Sequence, residues 1–450
     1  MKSFSISEVM DSFGVNKFTW RIFFLLGLAM VFDGYDYMIV SYTMPQIADE
    51  WLLNEIQKGS LSSWSLFGLI IGGAFAGIIS DKIGRRKTLV GAIAMYSLLN
   101  LPIFFAPNFA FFATFRVLAG LGLGACIPVV TTIFSESTPT NRRALFITFG
   151  MAWMIVGWVL AGLIATWCVS TIGWRWCYLI AGVPFIYSIY LYFKMPESVY
   201  WYASKGRKEE AIKQLQNIEK IATGKVSEYD ADALFTPPKP AVVGPKALFT
   251  KKYIAITAGV WLTYFMGCFT VYGVNAWLPS LMLEKGLELK SAYGLAIAQN
   301  GAAVIANCST GFVAEAIGRR KNLIGSYVLG IIAVVIMAFV GGHFVAILAA
   351  NIFLGFAINY SITAVQPLMA EGYPTEIRNT GVSWCQAFGR LGGALAPIVA
   401  GWVISLNLGY SSAFLFYVIP LFIGMLAAII FIREETKGKS LDELAISKAD

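Results

Sequence analysis

The sequence predicts an all-α membrane protein of twelve transmembrane helices in two six-helix bundles, with both termini cytoplasmic. Three observations carry this. Of the 450 residues, 57% are hydrophobic and only 13% charged, with a mean hydropathy of +0.67, whereas a soluble domain carries about 25% charged residues. Twelve apolar stretches reach the roughly 20 residues that a membrane crossing needs, at approximately 20–45, 59–80, 88–106, 109–134, 144–168, 175–194, 253–283, 291–314, 322–341, 345–370, 379–404 and 411–432. A charged turn also occurs twice. Its first copy is Gly77, Asp81, Gly84, Arg85, Arg86 and Lys87, and its second, 234 residues further on, is Gly311, Glu315, Gly318, Arg319, Arg320 and Lys321. A unit repeated in register implies two related bundles.

An even number of crossings puts both ends on one side, and the basic residues say which, because Lys and Arg are retained on the cytoplasmic face. With the N-terminus inside, 28 of the 34 Lys and Arg fall on inner segments and four (Lys58, Arg175, Lys285, Lys290) on outer loops. Arg116 and Arg390 fall within helices. The net charge of +8 is therefore a consequence of topology, and no nucleic-acid partner is inferred from it. The first apolar run is too long for a cleavable leader and lacks a small-residue cleavage pattern, so it is read as the first helix.

The six cysteines show no metal-ligand spacing, and neither a metal nor a cofactor is expected. Cys168 and Cys177 flank one outer loop, where they either pair or pack as thiols. Glycosylation matches at Asn307 and Asn359 fall inside expected helices. Together with the short outer loops, they suggest a bacterial inner membrane. The expected domains are an N-terminal bundle at 1–194, a cytoplasmic linker with an interfacial helix at 195–251, a C-terminal bundle at 252–433 and a cytoplasmic tail at 434–450. In the linker, Ala211, Leu215, Ile218 and Ile221 recur at helical spacing among Lys and Glu, and Pro237, Pro238, Pro240 and Pro245 follow. Such a pattern suits a helix lying along the membrane surface.

Taken in order, helix one carries Asp33 and Asp36, three residues apart and so on one face. A charged Asp at the centre of a bilayer helix costs about 2.5–3.5 kcal/mol, and intramembrane ionisable residues usually face an interior where they pair or do chemistry. A structural ion pair is the plainer reading. Helix four offers the partner, with Arg116 followed by Gly120, Gly122 and Gly124, small residues that admit a close neighbour. Glu136, Pro139, Thr140 and Arg143 at its inner end recur 235 positions later as Glu371, Pro374, Thr375 and Arg378. Helix capping at the membrane edge is the alternative reading of that pattern.

The turn Gly-x-x-x-Asp-x-x-Gly-Arg-Arg-Lys resembles the loop between helices two and three of the major facilitator superfamily, and its echo stands where that family has helices eight and nine. The resemblance implies that Asp81, Arg85, Glu136 and Arg143, with Glu315, Arg319, Glu371 and Arg378, form a charge network that closes the cytoplasmic side when the outside is open. Gly34, Tyr35 and Asp36 with Arg116 and its glycines resemble the proton-linked sugar porters, which implies that Asp36 and Arg116 form a proton switch supported by Asp33. Burial favours the neutral acid and a nearby guanidinium favours the carboxylate, so moving Arg116 can load and release a proton. Met195, Pro196, Glu197 and Ser198, like the run from Glu435 to Leu441, resemble helix-end motifs of the same superfamily.

The fuller run Asp33-Gly34-Tyr35-Asp36 looks more like the aromatic acid:proton symporters. The glutamines that hold sugar in the sugar porters are replaced at Met151 and around Trp261 and Leu262. Helix seven instead offers Tyr264, Tyr272, Asn275 and Trp277, similar to the aromatic acid symporters and the related niacin transporters, and helices eight and ten add Gln299, Asn300, Asn359 and Gln366. Helix eleven reads Trp384, Cys385, Gln386, Ala387, Phe388, Gly389, Arg390. A guanidinium midway through a spanning helix presents a fork that fits a carboxylate. It either binds an anion or pairs with backbone carbonyls or a carboxylate across the bundle. Trp153, Tyr264, Tyr272, Trp277 and Trp384 are candidate ring contacts, with helix packing the alternative.

These features imply a proton-coupled symporter of a small aromatic or heteroaromatic carboxylate, acting as a monomer with protons and the bilayer as its other partners. It is not expected to be an enzyme. A sugar or polyol porter and a receptor on a carrier fold are the rivals, the first weakened by the missing glutamines and the second by the short tail after Arg433. With no Gly-x-x-x-x-Gly-Lys loop, no nucleotide is expected. His343, the lone histidine, is expected at the surface.

Overall fold

A computed structural model describes residues 4–230, 234–235, 245–373, 375–432 and 435. The strand β1 (Phe4–Ser5) leads into α1 (Ile6–Ser12). A capping box starts that helix: Ser5 Oγ accepts from Glu8 N at 3.2 Å and the Glu8 carboxylate accepts from Ser5 N at 3.0 Å. This Ser-x-x-Glu signature is legible in sequence, ahead of the first apolar run. The first six crossings are α2 (Lys17–Trp51), α3 (Glu55–Ile83), α4 (Arg85–Asn100, continued by a 3-10 turn to Phe105), α5 (Phe109–Ser137), α6 (Arg143–Thr171), and α7 (Arg175–Ile180) followed by α8 (Pro184–Lys194). The linker contributes α9 (Val199–Ser204), α10 (Lys208–Thr223) and β2 (Leu234–Phe235), which pairs in parallel with β1.

The second set is α11 (Ile254–Glu284), α12 (Leu289–Ile317), α13 (Arg319–Phe339), α14 (Phe344–Ala364) with α15 (Gln366–Glu371), α16 (Thr375–Ser405), and α17 (Tyr410–Leu415) with α18 (Val418–Phe431). Among the described residues, eleven of these segments are long and apolar enough to cross a membrane. The remaining expected crossing, α12, has 29 residues but carries Gln299, Asn300 and Asn307, which lower its hydropathy. The sixth and twelfth crossings, expected as single helices, are each broken. Pro184 and Pro420 stand at or near the start of the second piece, and proline favours the first turn of a helix over its interior.

Contacts divide the chain into two compact units, one of residues 1–37, 67–161 and 175–239 and the other of 38–66, 162–174 and 240–450. In the first unit, α5 is the centre. A Cβ on Gly122 would come within 2.7 Å of the Ala92 carbonyl oxygen of α4, and one on Gly124 within 2.6 Å of Gly73 N of α3. The glycine run therefore brings two helix backbones against α5. The linker helix α10 buries Ala211, Ile212, Leu215 and Ile218, and leaves Ile221 half-buried.

In the second unit, α11 packs along α16, α12 along α14, and α18 against α11 and α13. The segments 38–66 and 162–174, which are the outer parts of α2, α3 and α6, pack here too. Lys58 reaches Glu284 at 3.2 Å and Glu55 at 3.5 Å. The fully buried Trp277 donates its indole N–H to the Pro397 carbonyl at 2.9 Å, with the Lys58 ammonium 5.2 Å from its ring centre. Tyr293 donates its hydroxyl to the Tyr42 carbonyl. The ends assigned to the outside by the charge census are closed together in this unit.

Candidate functional site

In the first unit, the Asp36 carboxylate meets Arg116 inside the bundle. Arg116 Nη1 donates to Asp36 Oδ1 at 3.0 Å and Oδ2 at 3.1 Å, and Nη2 donates to the Asp36 backbone carbonyl at 3.1 Å. Both side chains are 1% exposed or less. The bundle can hold them so deep because the chains around them are close: a Cβ on Gly34 would come within 2.9 Å of the Met154 carbonyl carbon on α6, and one on Gly157 within 2.8 Å of Tyr35 N. Asp33 is also buried, one turn away. The Arg116 guanidinium lies 5.8 Å from the Tyr178 ring centre.

A third member, Asn100, is absent from the sequence-based set. Its amide donates to Asp36 Oδ1 and, at 3.0 Å, to the Tyr96 carbonyl, and its oxygen accepts from Arg116 Nη1 at 3.0 Å. The signal available in sequence was a polar residue just before Leu101-Pro102 in an otherwise apolar stretch. Without the fold nothing links it to helices one and four.

The repeated turns are built alike in the two units. Arg85 pairs with Asp81 at 2.9 Å and Glu136 at 3.2 Å, and Arg319 with Glu315 at 2.8 Å and Glu371 at 3.4 Å. A further carboxylate caps each helix that follows. Glu197 accepts from the backbone N–H of Arg85 at 2.8 Å and of Arg86 at 3.2 Å, and Glu435 accepts from those of Arg319 at 2.7 Å and Arg320 at 3.2 Å. A carboxylate at a helix N-terminus satisfies orphan donors and complements the helix dipole. Gly84 and Gly318 sit at φ +106° and +98°, and the space of their missing Cβ atoms is taken by Glu197 and Glu435, so the motif requires glycine twice over. Both glutamates belong to the helix-end motifs of the sequence, and the fold decides what they hold.

Arg143 donates to the Thr140 hydroxyl at 3.5 Å, and Arg378 donates to the Tyr373 carbonyl at 3.3 Å. Pro374, the Thr375 side chain and the tail beyond Glu435 lie outside the described residues. Each arginine–carboxylate pair of the two repeated turns joins residues of the same half.

In the second unit, Arg390 is half-buried on α16 and makes no hydrogen bond or ion pair to any described residue. The Tyr264 ring rests on Gly389 beside it, the Tyr272 ring rests on Gly393, and Cys268 Sγ would stand 3.0 Å from a Gly389 Cβ. Farther along α11, Asn275 Oδ1 accepts from Gln299 Nε2 at 2.8 Å, both residues being buried, and Asn300 is buried next to them. Asn275 Nδ2, Gln299 Oε1 and Asn300 Oδ1 have no partner among the described residues.

Other expected residues do not join this group. At about 100° per residue, Trp384 shares a stripe with Leu391, Leu395 and Trp402, all exposed, about 120° around α16 from Arg390. That apolar stripe is the kind of face that meets lipid. Gln386 lies nearer the Arg390 face and is exposed, as is Gln366. Asn359 turns back to the Gly355 carbonyl at 2.9 Å. Trp153 packs on Phe23 and Phe24, and Trp277 belongs to the outer closure instead. His343 is exposed at the start of α14. Among the described residues no disulfide joins any of the six cysteines.

Duplicated helical halves built from membrane-length apolar segments, with ionisable groups buried among them, define the class of multi-pass membrane transporters. The family model of the Major Facilitator Superfamily matches residues 26–306 and 295–447, and the chain belongs to that superfamily. It is 28% identical to the niacin transporter NiaP of Acinetobacter baylyi over 444 residues, covering 97% of this chain and 98% of the relative. It is 30% identical to a gallate transporter of Pseudomonas putida over 429 residues, covering 94% of each. The xylose transporter XylE of E. coli superposes with a TM-score of 0.73 at 20% identity, over 94% of this chain and 99% of that one, a likeness of fold alone.

Proposed function

We propose that the protein is a proton-coupled symporter of a small aromatic or heteroaromatic carboxylate, of the benzoate or nicotinate kind, working by alternating access in a bacterial inner membrane. The observation that carries this reading is Arg390. A guanidinium cannot shed its charge, and desolvating it without a partner is costly, so a half-buried one without an acceptor among the described residues is poised for an anionic ligand. The Tyr264 and Tyr272 rings rest on Gly389 and Gly393 to either side of it in the chain, and Asn275 on α11 with Gln299 and Asn300 on α12 supply polar atoms that have no partner among the described residues. The names of the relatives, niacin and gallate transporters among them, support an aromatic acid over a sugar. Asp36 and Arg116 are the coupling pair of this reading, with Asp33 in support.

Thermal unfolding of the purified protein with a panel of carboxylates, sugars and amines tests the substrate class. A ligand at about 100 times its Kd stabilises by about 2.7 kcal/mol, which is easily resolved. Benzoate, 4-hydroxybenzoate or nicotinate should raise Tm, and the rise should vanish in Arg390→Ala and return only partly in Arg390→Lys, which lacks the bidentate fork. A full shift retained in Arg390→Ala refutes the anion-site assignment.

A further inference from the structure

Asn100 is the last residue of α4 before Leu101-Pro102 turns the chain, and it is 0% exposed. Its amide is fully used: both Nδ2 hydrogens are donated, to Asp36 Oδ1 and to the Tyr96 carbonyl, and Oδ1 accepts from Arg116 Nη1. Only one orientation of the amide permits this. Flipped, its carbonyl would face the carboxylate and its NH2 the guanidinium, and both contacts would be repulsive. Arg116 Nε has no acceptor among the described residues, so there the hydrogen bonds of the guanidinium all go to Asp36 and Asn100. Arg116 cannot leave the carboxylate without also breaking its bond to Asn100.

We propose that Asn100 is a positioning residue for the proton step, setting the pH at which Asp36 takes its proton by donating to the carboxylate while fixing Arg116 against it. The inference rests on the coupling reading above. A donor to a carboxylate favours the ionised form, so its removal makes protonation easier. The remaining bond geometry between Arg116 and Asp36 does not compensate. Nη1 already spans both Asp36 oxygens, and loss of Asn100 leaves its other hydrogen idle.

The other groups facing Asp36 bound the expectation. Asp33 lies on α2 itself, Tyr96 on α4, and Cys126 with Arg116 on α5, with Tyr96 and Cys126 in electrostatic reach of both aspartates. On α7, Tyr178 faces Arg116, and the Cys177 carbonyl accepts from Tyr35. On α6, Met154 and Gly157 meet this stretch without an ionisable group. Among the described residues no other uncharged side chain donates to the Asp36 carboxylate as Asn100 does.

The test is infrared titration of the full-length protein in lipid, following the carboxylic C=O band that disappears in Asp36→Asn. In Asn100→Leu, of similar volume, the midpoint of that band should move alkaline by about one to two units, the worth of one hydrogen bond to a charged group. Asn100→Asp keeps the shape and an acceptor for Arg116 if the leucine variant fails to fold. It should also move the midpoint alkaline, since two adjacent carboxylates resist joint ionisation. Ser97→Ala, which removes a bond to the Ile93 carbonyl within α4 and a side-chain bond to Tyr96 but no donor to Asp36, controls for packing and should leave the midpoint in place. Unchanged or acid-shifted midpoints in the Asn100 variants overturn the inference alone. If Asp36→Asn removes no titrating band from the wild-type spectrum, the inference and the coupling role of Asp36 both fall.

Discussion

Gly401 on α16 should act as a hinge point of the outer closure, and Gly401→Ala should loosen it. A Cβ there would overlap the Glu55 carbonyl oxygen and stand 2.9 Å from its carbon, against 3.4–4 Å for ordinary contact. The obstacle is helix backbone at the start of α3, which cannot swing aside, so α3 and α16 must part locally by about 1 Å. Overpacking of this kind costs about 1–3 kcal/mol. If the contact exists in one transport state only, the population of that state falls about 5- to 150-fold. Loss of helix propensity cannot mimic the effect, because alanine favours a helix interior over glycine. Spin labels at Leu52→Cys and Leu408→Cys, two exposed outer positions, in a Cys308→Ser background would report the distance distribution across the outer ends. The expected result is growth of a longer-distance population in Gly401→Ala, accompanied by slower uptake. A wild-type distribution with wild-type uptake would refute the reasoning that this backbone contact closes the outer end.

Two further outcomes follow from the buried pairs. Asp36→Asn should lose accumulation driven by an inward pH gradient but keep counterflow exchange, since exchange moves no net proton; gradient-driven accumulation at the wild-type level would remove Asp36 from the coupling role. Glu136→Ala should lower thermal stability more than Asp81→Ala. The Arg85 and Glu136 side chains are 12% and 15% exposed whereas Asp81 is 53% exposed. The expected losses are about 1.5–3 kcal/mol for a sheltered charged bond and about 0–1 kcal/mol for an exposed one. The reverse order of unfolding temperatures would show that solvent exposure does not rank these pairs.

The sequence by itself determined the fold class, the duplication and the topology, because each is written in properties that need no partner. Apolar length alone sets a membrane crossing, a repeated turn reveals its own copy, and the distribution of Lys and Arg orients the chain. Asp36 and Arg116 were legible for the same reason: an ionisable group in hydrocarbon demands a partner wherever the chain folds. Burial in a bundle, by contrast, is decided by which helix lies alongside. The role of Asn100 therefore appeared only once α4 was placed against α2 and α5, and the capping by Glu197 and Glu435 only once the helix ends met turns more than a hundred residues away. Trp384 and Trp277 fell away from the site for that reason too. An aromatic ring gains as much from lipid or packing as from a ligand, so its residue type carries no direction, and the rotation of α16 and the closure against α3 decided where those two rings point.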